Sequence, residues 1–312
     1  MASLAVSCRG GGEVPDAAPS VYYWRTTFQI TPAQHQWIQQ QGVRKLYLRL
    51  FDIVPSAQGP IPNATITFID TLPPQLAVIP TIFIDYTLFR SPVDVDDLAQ
   101  KTLDRIAKMA ATHGFRYSEV QFDCDWTATT QQAYFDFLAA AQRADTGLIL
   151  SSTIRLHQLS MPAPPCRYGA LMLYNTGDFR QPDASRNPIL DAEDVKPYLK
   201  YLARYPLPLC AAYPNFSWQL LFHDHQFMGM LYLEDLSDAQ AYLPLDSTTY
   251  RVVIPRNVPI EKGRRYLHLA PGDTVRCFHS SPAQINQVRR MVGSMRKNIH
   301  DQTIIYHLSE IK

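Results

Sequence analysis

Strand-like segments alternate with segments of helical period along most of this 312-residue chain, and this alternation constrains the fold more than any other feature. Alternating strands and helices are typical of parallel βα units. The strand-like runs are 21–28, 45–54, 76–85, 118–127, 148–158, 169–178, 207–222 and 303–310, and helical periodicity marks 31–41, 93–113, 129–143, 194–205 and 282–298. Eight such strands predict an α/β fold, a (β/α)8 TIM-type barrel closed by its final strand.

One segment interrupts this rhythm. From 223 to 280 the helical period disappears, and short strand-like pieces are separated by Pro, Gly and Asp. We therefore expect a β-rich insertion between strands 7 and 8. The expected organisation is a tether at 1–20, barrel strands 1–7 at 21–222, the insertion at 223–280, and the last helix and strand at 281–312.

The N-terminal residues suggest a lipid anchor. Cys8 follows Leu4-Ala5-Val6-Ser7 and precedes a Gly-rich run, which resembles a bacterial lipobox followed by a flexible tether. The charged n-region and full h-region of a signal peptide are missing. An ordinary flexible N-terminus is therefore the alternative. The lipobox interpretation predicts lipidation of Cys8, a lipoprotein of the bacterial cell envelope facing the periplasm or the surface, and membrane contact through the anchor only.

Composition and motifs exclude several classes of function. A formal net charge of +1 argues against a nucleic-acid partner, because phosphate binding requires a basic patch. The chain has no G-x-G-x-x-G, phosphate-binding loop or G-x-S-x-G motif, so we expect no nucleotide cofactor. The five cysteines are scattered, and His223-Asp224-His225 lacks a third ligand at a recognisable spacing, so no metal site is predicted.

The segment 118–127 carries the most informative polar residues. Strand residues alternate between faces, so Gln121, Asp123 and Asp125 lie opposite an apolar face formed by Val120, Phe122, Cys124 and Trp126. Two neighbouring carboxylates repel, and at least one pKa should rise. The pair could cap the next helix or bridge to an arginine. Alternatively, it lies at the barrel mouth, where TIM-barrel sites are found.

Glycoside hydrolysis gives this pair a chemical role. The reaction needs a protonated acid beside the leaving oxygen and a second carboxylate as nucleophile or base. Asp125 is the candidate acid, and Asp123, deeper and within reach of Arg49, is expected to stay ionised and orient it. Two residues on one strand lie ~7 Å apart, within the range of inverting enzymes. Asp85 or Glu310 is an alternative partner, and the mechanism stays open.

Further side chains near the strand ends are candidates for contacting a carbohydrate. They are Trp24, Arg25, Arg49, Asp85, Arg155, His157, Tyr174, Asn175, Trp218 and Tyr306. Aromatic faces can stack on sugar rings, but packing in the core explains each aromatic residue equally well. For His157, a structural role is the alternative.

Two short motifs resemble family 18 glycoside hydrolases, the chitinase-like barrels. Asp123 and Asp125 match the middle aspartates of that family's D-x-x-D-x-D-x-E signature, and Met172-Leu173-Tyr174-Asn175 is similar to its M-x-Y-D. Thr127 stands where the family has its general-acid Glu, and Asn175 stands where it has Asp. The resemblance therefore implies the barrel, while the family's substrate-assisted mechanism cannot be transferred unchanged.

A broader likeness, from Val21 onward, is to an uncharacterised family of bacterial lipoproteins with glycosidase-like barrels. It is carried by Val21-Tyr22-Tyr23-Trp24-Arg25, Leu48-Arg49-Leu50-Phe51-Asp52, 120–126, Phe216-Ser217-Trp218 and Tyr306-His307-Leu308. It implies a fold and a location on the cell surface or in the periplasm, but no reaction. Three functions follow as expectations: a glycoside hydrolase acting on a poly- or oligosaccharide, a non-catalytic glycan-binding lipoprotein, or a scaffold in a lipoprotein assembly that uses the insertion.

Overall fold

Eight parallel strands form a closed barrel in the computed structural model, which describes residues 18–181, 185–231, 234–259 and 266–308. The strands are β1 (Ser20–Tyr23), β2 (Lys45–Ser56), β3 (Ala77–Ile84), β4 (Glu119–Cys124), β5 (Ile149–Ile154), β6 (Tyr168–Met172), β7 (Leu209–Pro214) and β8 (Thr303–Tyr306). Val21 of β1 is paired with Leu46 of β2 on one side and with Ile305 of β8 on the other. The sheet is therefore closed, and the predicted (β/α)8 barrel is confirmed.

Helices cover the outside of this barrel. They are α1 (Pro32–Gln40), α2 (Val95–His113), α3 (Gln131–Ala144), α4 (Ala192–Val195), α5 (Leu199–Leu202) and α6 (Pro282–Met295), with 3-10 helices at Tyr86–Arg90, Leu156–Ser160, Lys196–Tyr198 and Lys297–His300. Thr31 and Ser281 form capping boxes before α1 and α6, each followed by a proline. The single helix predicted at 194–205 is instead divided into α4, a 3-10 turn and α5.

Two connections lack a regular α-helix. After β2 the chain turns at Gly59 (φ 103°) and forms the strand Gly59–Asn63, antiparallel to β2. Between β5 and β6 the described chain has only the 3-10 helix Leu156–Ser160. The hairpin after β2 extends the barrel wall outward beside α2, where it forms one side of a cavity described below.

The insertion between β7 and β8 is β-rich, as predicted. Its five-stranded sheet has the order Gln226–Leu231, Ser217–His223, Thr274–His279, Thr249–Val252 and Tyr242–Pro244, with a separate hairpin of Arg256–Pro259 and Tyr266–Leu269. Buried Leu221, Tyr242 and Val275 form its own core.

The predicted seventh strand, 207–222, is divided between two sheets. Leu209–Pro214 is in the barrel, whereas Ser217–His223 pairs with insertion strands. The insertion therefore begins at Ser217 and not at 223. His223-Asp224-His225 lies at the end of that strand and in its turn, where Asp224 and His225 have positive φ angles of 45° and 61°. These angles are typical of a two-residue type I′ hairpin turn.

The barrel interior is packed with side chains below its mouth. Apolar and aromatic groups fill it: Tyr22, Tyr47, Ile79, Ala170, Met172, Tyr174, Cys210, Ala212 and Ile304. Near the N-terminal end, the buried Glu119 accepts hydrogen bonds from Ser151 Oγ (2.7 Å) and Tyr168 Oη (2.5 Å). In this fold the functional site lies at the other end of the barrel, at the C-terminal ends of the strands.

Two sequence expectations fall on residues outside the described ranges. The proposed lipidation site Cys8 and the alternative carboxylate Glu310 both belong to this group. Among the helices that the structure does describe, none combines the length and apolar character needed to cross a bilayer.

Candidate functional site

Strand β4 carries a row of polar side chains into the barrel. Gln121 and Asp123 are 0% and 2% exposed, and Gln121 Oε1 accepts a hydrogen bond from Tyr22 Oη at 2.6 Å. The alternate residues Val120, Phe122 and Cys124 pack in the outer core under the helices. The alternation predicted from the sequence is therefore present.

Asp123 is held by residues of β5 and the loop that follows it. Thr153 Oγ1 donates a 2.6 Å hydrogen bond to Asp123 Oδ1, and Arg155 Nη2 lies 3.7 Å from the same oxygen. Burial raises the pKa of the Asp123 carboxyl above its ordinary value; Arg155 opposes this effect and the charge of Asp125 adds to it. Arg155 is therefore the cation that acts most strongly on Asp123, and Arg49, the partner expected from the sequence, has a smaller effect in the same direction.

The same arginine binds Asp125. Arg155 Nε donates to Asp125 Oδ1, and the two side chains are 21% and 43% exposed. One guanidinium group thus interacts with both aspartates, Asp123 near the end of β4 and Asp125 just beyond it. The arginine bridge that the sequence left open as an alternative is the arrangement found.

The residue two positions after Asp125 supplies no acid. The hydroxyl of Thr127 lies 3.0 Å from that of Thr129 and 3.3 Å from that of Thr130, at the beginning of α3. Trp126 is fully buried and packs edge-on against Phe135 with ring centroids 5.3 Å apart. Trp126 is therefore a core residue, and Asp123 and Asp125 are the carboxylates near the C-terminal end of β4, since Glu119 lies at the opposite end of the strand.

Aromatic rings surround the mouth on the side of β6, β8 and β1. Tyr174 and Tyr306 are stacked with centroids 4.6 Å apart, and Trp24 lies 5.9 Å from Tyr306. Phe216 and Trp218 extend this wall, 5.5 Å from each other. Trp24, Tyr306, Phe216 and Trp218 are only partly buried, so part of each ring is accessible to a ligand.

Tyr174 differs from these rings because it is 4% exposed, and its hydroxyl finds no hydrogen-bond partner among the described residues. A buried hydroxyl without a partner is costly and is usually satisfied by water or a ligand. Burial raises the pKa of the Tyr174 hydroxyl well above its ordinary value, Tyr306 and Asp123 add to this effect, and Arg155 opposes it. The hydroxyl is therefore an unsatisfied polar group enclosed beneath the rings of the mouth.

Two predicted contact residues have partners of their own. Arg49 Nε donates to Asp52 Oδ1 at 2.7 Å, and its guanidinium lies 5.6 Å from the centre of the Trp24 ring. Arg49 therefore positions Trp24 from below. Asp85 accepts hydrogen bonds from Thr87 N (2.9 Å) and Thr87 Oγ1 (2.6 Å), so its carboxylate caps the 3-10 helix after β3.

The remaining predicted residues lie around the rim. Arg25, His157 and Asn175 are exposed, and Asn175 has a positive φ of 54°. Partial burial lowers the pKa of His157, against the opposite effect of Asp125. The structure thus brings Trp24, Asp123, Asp125, Arg155, Tyr174 and Tyr306 together at one opening, while Asp85 serves a local cap.

Some residues of this site were given no role by the sequence. Tyr22 contacts Trp24, Thr153 contacts Asp123, and Phe216 contacts Tyr306. Thr153 shares the inward face of β5 with Arg155, so strand parity could have selected it. Phe216 follows β7 by two residues, and no periodic signal distinguishes it from an ordinary core residue.

Solved structures of similar fold are chitinase-like barrels. A chitinase-like agglutinin from Robinia pseudoacacia has a TM-score of 0.54 at 12% identity, over 94% of this chain and 95% of that chain. A class V chitinase from Nicotiana tobaccum has a TM-score of 0.51 at 10% identity, over 94% of each chain. A mutant of that chitinase in complex with NAG4 has a TM-score of 0.49 at 10% identity, again over 94% of each chain. Neither a protein-family model nor a curated protein matches this chain. The chain therefore has the chitinase-like (β/α)8 barrel fold, a glycoside-hydrolase-like architecture.

Proposed function

We propose that this protein binds a glycan at the barrel mouth and does not hydrolyse it. The observation that carries this proposal is the position of Arg155, whose single guanidinium group binds Asp125 and lies beside Asp123. Thr127 occupies the place at which the similar signature has an acid, and its hydroxyl contacts other threonines.

The chemistry of hydrolysis explains why this arrangement is unfavourable for catalysis. A glycosidase needs one carboxylic acid to protonate the leaving oxygen and a second carboxylate to act as base or nucleophile. Asp123 is 2% exposed and cannot reach a sugar that rests on the rim. Asp125 is accessible, but it accepts a charge-assisted hydrogen bond from Arg155. Neither group is an acid with a free path to a glycosidic oxygen.

The same mouth is well suited to binding. The accessible parts of Trp24, Tyr306, Phe216 and Trp218 are flat apolar surfaces on which the C–H face of a sugar ring can pack. The exposed side chains of Arg25 and Asn175 at the rim supply polar groups for hydrogen bonds to sugar hydroxyls. One structural neighbour is a chitinase-like agglutinin and the other a chitinase, so the fold accommodates either outcome and does not choose between them.

Glycoside hydrolysis is the second candidate. It is favoured by the 43% exposure of the Asp125 side chain at the mouth and by burial, which raises the pKa of Asp123 directly behind it. In this alternative, Asp125 exchanges Arg155 for the substrate and acts as the acid. The two candidate functions predict different effects of Asp125→Asn: a hydrolase would lose cleavage of the glycan, whereas a binding protein would keep its affinity.

Calorimetric titration with NAG4 and a panel of other oligosaccharides, together with an assay for cleavage products, separates these candidates. We expect binding without products. Tyr306→Ala and Trp24→Ala should each weaken binding by about tenfold through loss of ring contact, while Asp125→Asn should change it by less than about threefold. Products that disappear in Asp125→Asn would establish the hydrolase instead. Failure of the wild-type protein to bind any sugar would reject both.

We also propose that the barrel is held at the bacterial cell envelope through lipidation of Cys8, as the lipobox-like sequence suggests. Mass spectrometry of the N-terminal peptide should then show an acylated cysteine, and Cys8→Ala should move the protein from the membrane fraction to the soluble fraction. An unmodified Cys8 would exclude this anchor. A scaffold role for the insertion stays a prediction, tested by whether deletion of 223–280, which keeps Trp218, removes a partner while glycan binding survives.

A further inference from the structure

A second cavity lies on the outside of the barrel, between the hairpin after β2 and helix α2. Its volume is about 560 Å³, within the range of small-molecule sites in proteins. The floor is apolar and is formed by Phe51, Ile53, Ile66, Leu98 and Met109. None of these residues belongs to the barrel mouth, so this cavity is separate from the proposed glycan site.

Basic side chains of α2 line one edge of this cavity. Lys101, Arg105 and Lys108 recur at helical spacing and therefore share one face of the helix. The only acidic residue in the lining is Asp104, which accepts a hydrogen bond from Gln100. Lys101 is paired with Asp97 at 2.7 Å on the exposed side.

Arg105 is the residue that points to a ligand. Its Nη2 donates to Thr65 Oγ1 at 2.9 Å, and its guanidinium lies over the Phe51 ring, 5.0 Å from the centroid. Its Nε is buried, and no acceptor for this N–H is present in the described part of the chain. Within the described ranges Arg105 also forms no ion pair with a carboxylate, so an anionic group at this edge of the cavity would compensate the charge of its guanidinium.

We propose that this cavity binds a long-chain carboxylic acid, with its alkyl chain on the apolar floor and its carboxylate at Arg105 and Lys108. The two oxygens of a carboxylate fit the planar fork of donors of a guanidinium group. Lys108 adds a second positive charge one helical turn further along α2. A neutral ligand of the same shape, such as an alcohol, would lack the negative charge that pairs with Arg105 and Lys108.

Two other kinds of occupant fit less well. A β-strand from a partner protein would have to pair with the edge strand Gly59–Asn63, in which Pro60 and Pro62 lack an N–H. A membrane surface would need exposed apolar side chains, but Phe51 and Ile53 on the floor are 1% and 3% exposed. Ile61, 42% exposed, is the one large apolar residue of the lining that reaches the surface in the described chain.

Calorimetric titration of the full chain with dodecanoate, below its micelle concentration, tests this proposal. We expect one site, with affinity rising from octanoate to dodecanoate by about fourfold for each methylene buried. Dodecanol should bind more weakly. Arg105→Met should weaken dodecanoate binding by about tenfold and leave dodecanol binding unchanged, since it keeps the apolar packing and removes the donors. Met109→Trp should fill the cavity and reduce both.

The controls separate this site from non-specific effects. Arg143→Met removes an exposed arginine of α3 and should leave dodecanoate binding unchanged, and so should Tyr306→Ala at the mouth. If Arg105→Met does not fold, Lys108→Gln on the exposed rim provides the charge test, with an expected loss of about threefold. The proposal is overturned if dodecanoate does not bind at a single site, or if neither Arg105→Met nor Met109→Trp changes its binding. It is also overturned if the protein binds phosphatidylglycerol vesicles but not free dodecanoate.

Discussion

Arg155 Nη2 lies 3.7 Å from Asp123 Oδ1 inside the barrel, where the aspartate side chain is only 3% exposed. Among the charges near Asp123, that of Arg155 opposes the effect of burial on its pKa most strongly. The guanidinium is itself anchored in the wall by Asp125 and the sulfur of Met172. At the centre of the mouth, the positive charge of Arg155 therefore lies between the carboxyl groups of Asp123 and Asp125, and removing one of these groups changes the environment of the others.

Removal of Arg155 should destabilise the fold strongly. Arg155→Met leaves Asp123 buried without its nearest cation, and breaking such a pair by deleting one partner typically costs about 3–5 kcal/mol. Urea denaturation followed by circular dichroism measures this loss. The matched control is Arg143→Met, which breaks an exposed pair with Asp96 and should cost less than about 1 kcal/mol. Equal effects of the two variants would contradict this arrangement of charges.

The stability of the wild-type protein should fall relative to Asp123→Asn as pH rises. Burial raises the pKa of Asp123 above the ordinary value of 3.8, so the folded state keeps a proton that the unfolded state has lost. Between those two pKa values the folded state binds more protons, and the free energy of unfolding therefore decreases with rising pH. The uncharged asparagine lacks this dependence.

Urea titrations of both proteins from about pH 3.5 to pH 7 isolate this contribution, because other groups cancel in the difference. A difference that stays constant, or that grows in favour of the wild type with rising pH, would show that burial does not raise the pKa of Asp123.

Gly169 of β6 should not tolerate a side chain. A Cβ at this position would lie 2.7 Å from Ile154 Cγ1 and 2.9 Å from Leu209 Cδ2, both in neighbouring strands of the barrel. Gly169→Ala should therefore cost about 1–3 kcal/mol by overpacking. At Gly147 the nearest atom to such a Cβ is Asp145 Oδ1 at 3.5 Å, so Gly147→Ala should change stability by less than about 0.5 kcal/mol. Thermal denaturation compares the two, and equal stabilities would contradict the tight packing at β6.

Two histidines should titrate in opposite directions. Burial lowers the pKa of His307 from 6.5 to about 4, with a further contribution from Arg25, so its ring should stay neutral through the physiological range. A hydrogen bond to Asp273 raises the pKa of His223. NMR titration of the imidazole resonances measures both. Asp273→Asn should lower the pH midpoint of the His223 titration and leave that of His307 unchanged. A His307 midpoint near pH 6.5 would show that burial does not lower the pKa of its ring.

The sequence was sufficient to predict the barrel and the direction of the β4 side chains, because both follow from local periodicity. It was not sufficient to identify the partner of Asp123. Arg49 and Arg155 both lie at inward positions, and parity does not give their height in the barrel. The pairing of β2 with β3 shifts register between Arg49 and Phe51, and the Arg49 side chain forms a hydrogen bond with Asp52. Arg155 is therefore the arginine that lies beside Asp123.

The division of 207–222 into two strands of different sheets could not be predicted from the sequence either. Leu209–Pro214 and Ser217–His223 are both rich in β-forming residues, so hydropathy and propensity describe them as one strand. Their hydrogen-bond partners lie far away in the chain, at β8 in one case and at Thr274–His279 in the other. Local sequence carries no information about which sheet a strand joins.

Only Asn215 and Phe216 separate barrel strand β7 from the first strand of the insertion. Phe216 contacts Tyr306 on one side and Trp218 on the other, so the rings around the mouth come from both the barrel and the inserted sheet. With so short a connection, the position of the inserted sheet determines where Trp218 lies relative to Tyr306, and the insertion is therefore part of the architecture of the mouth.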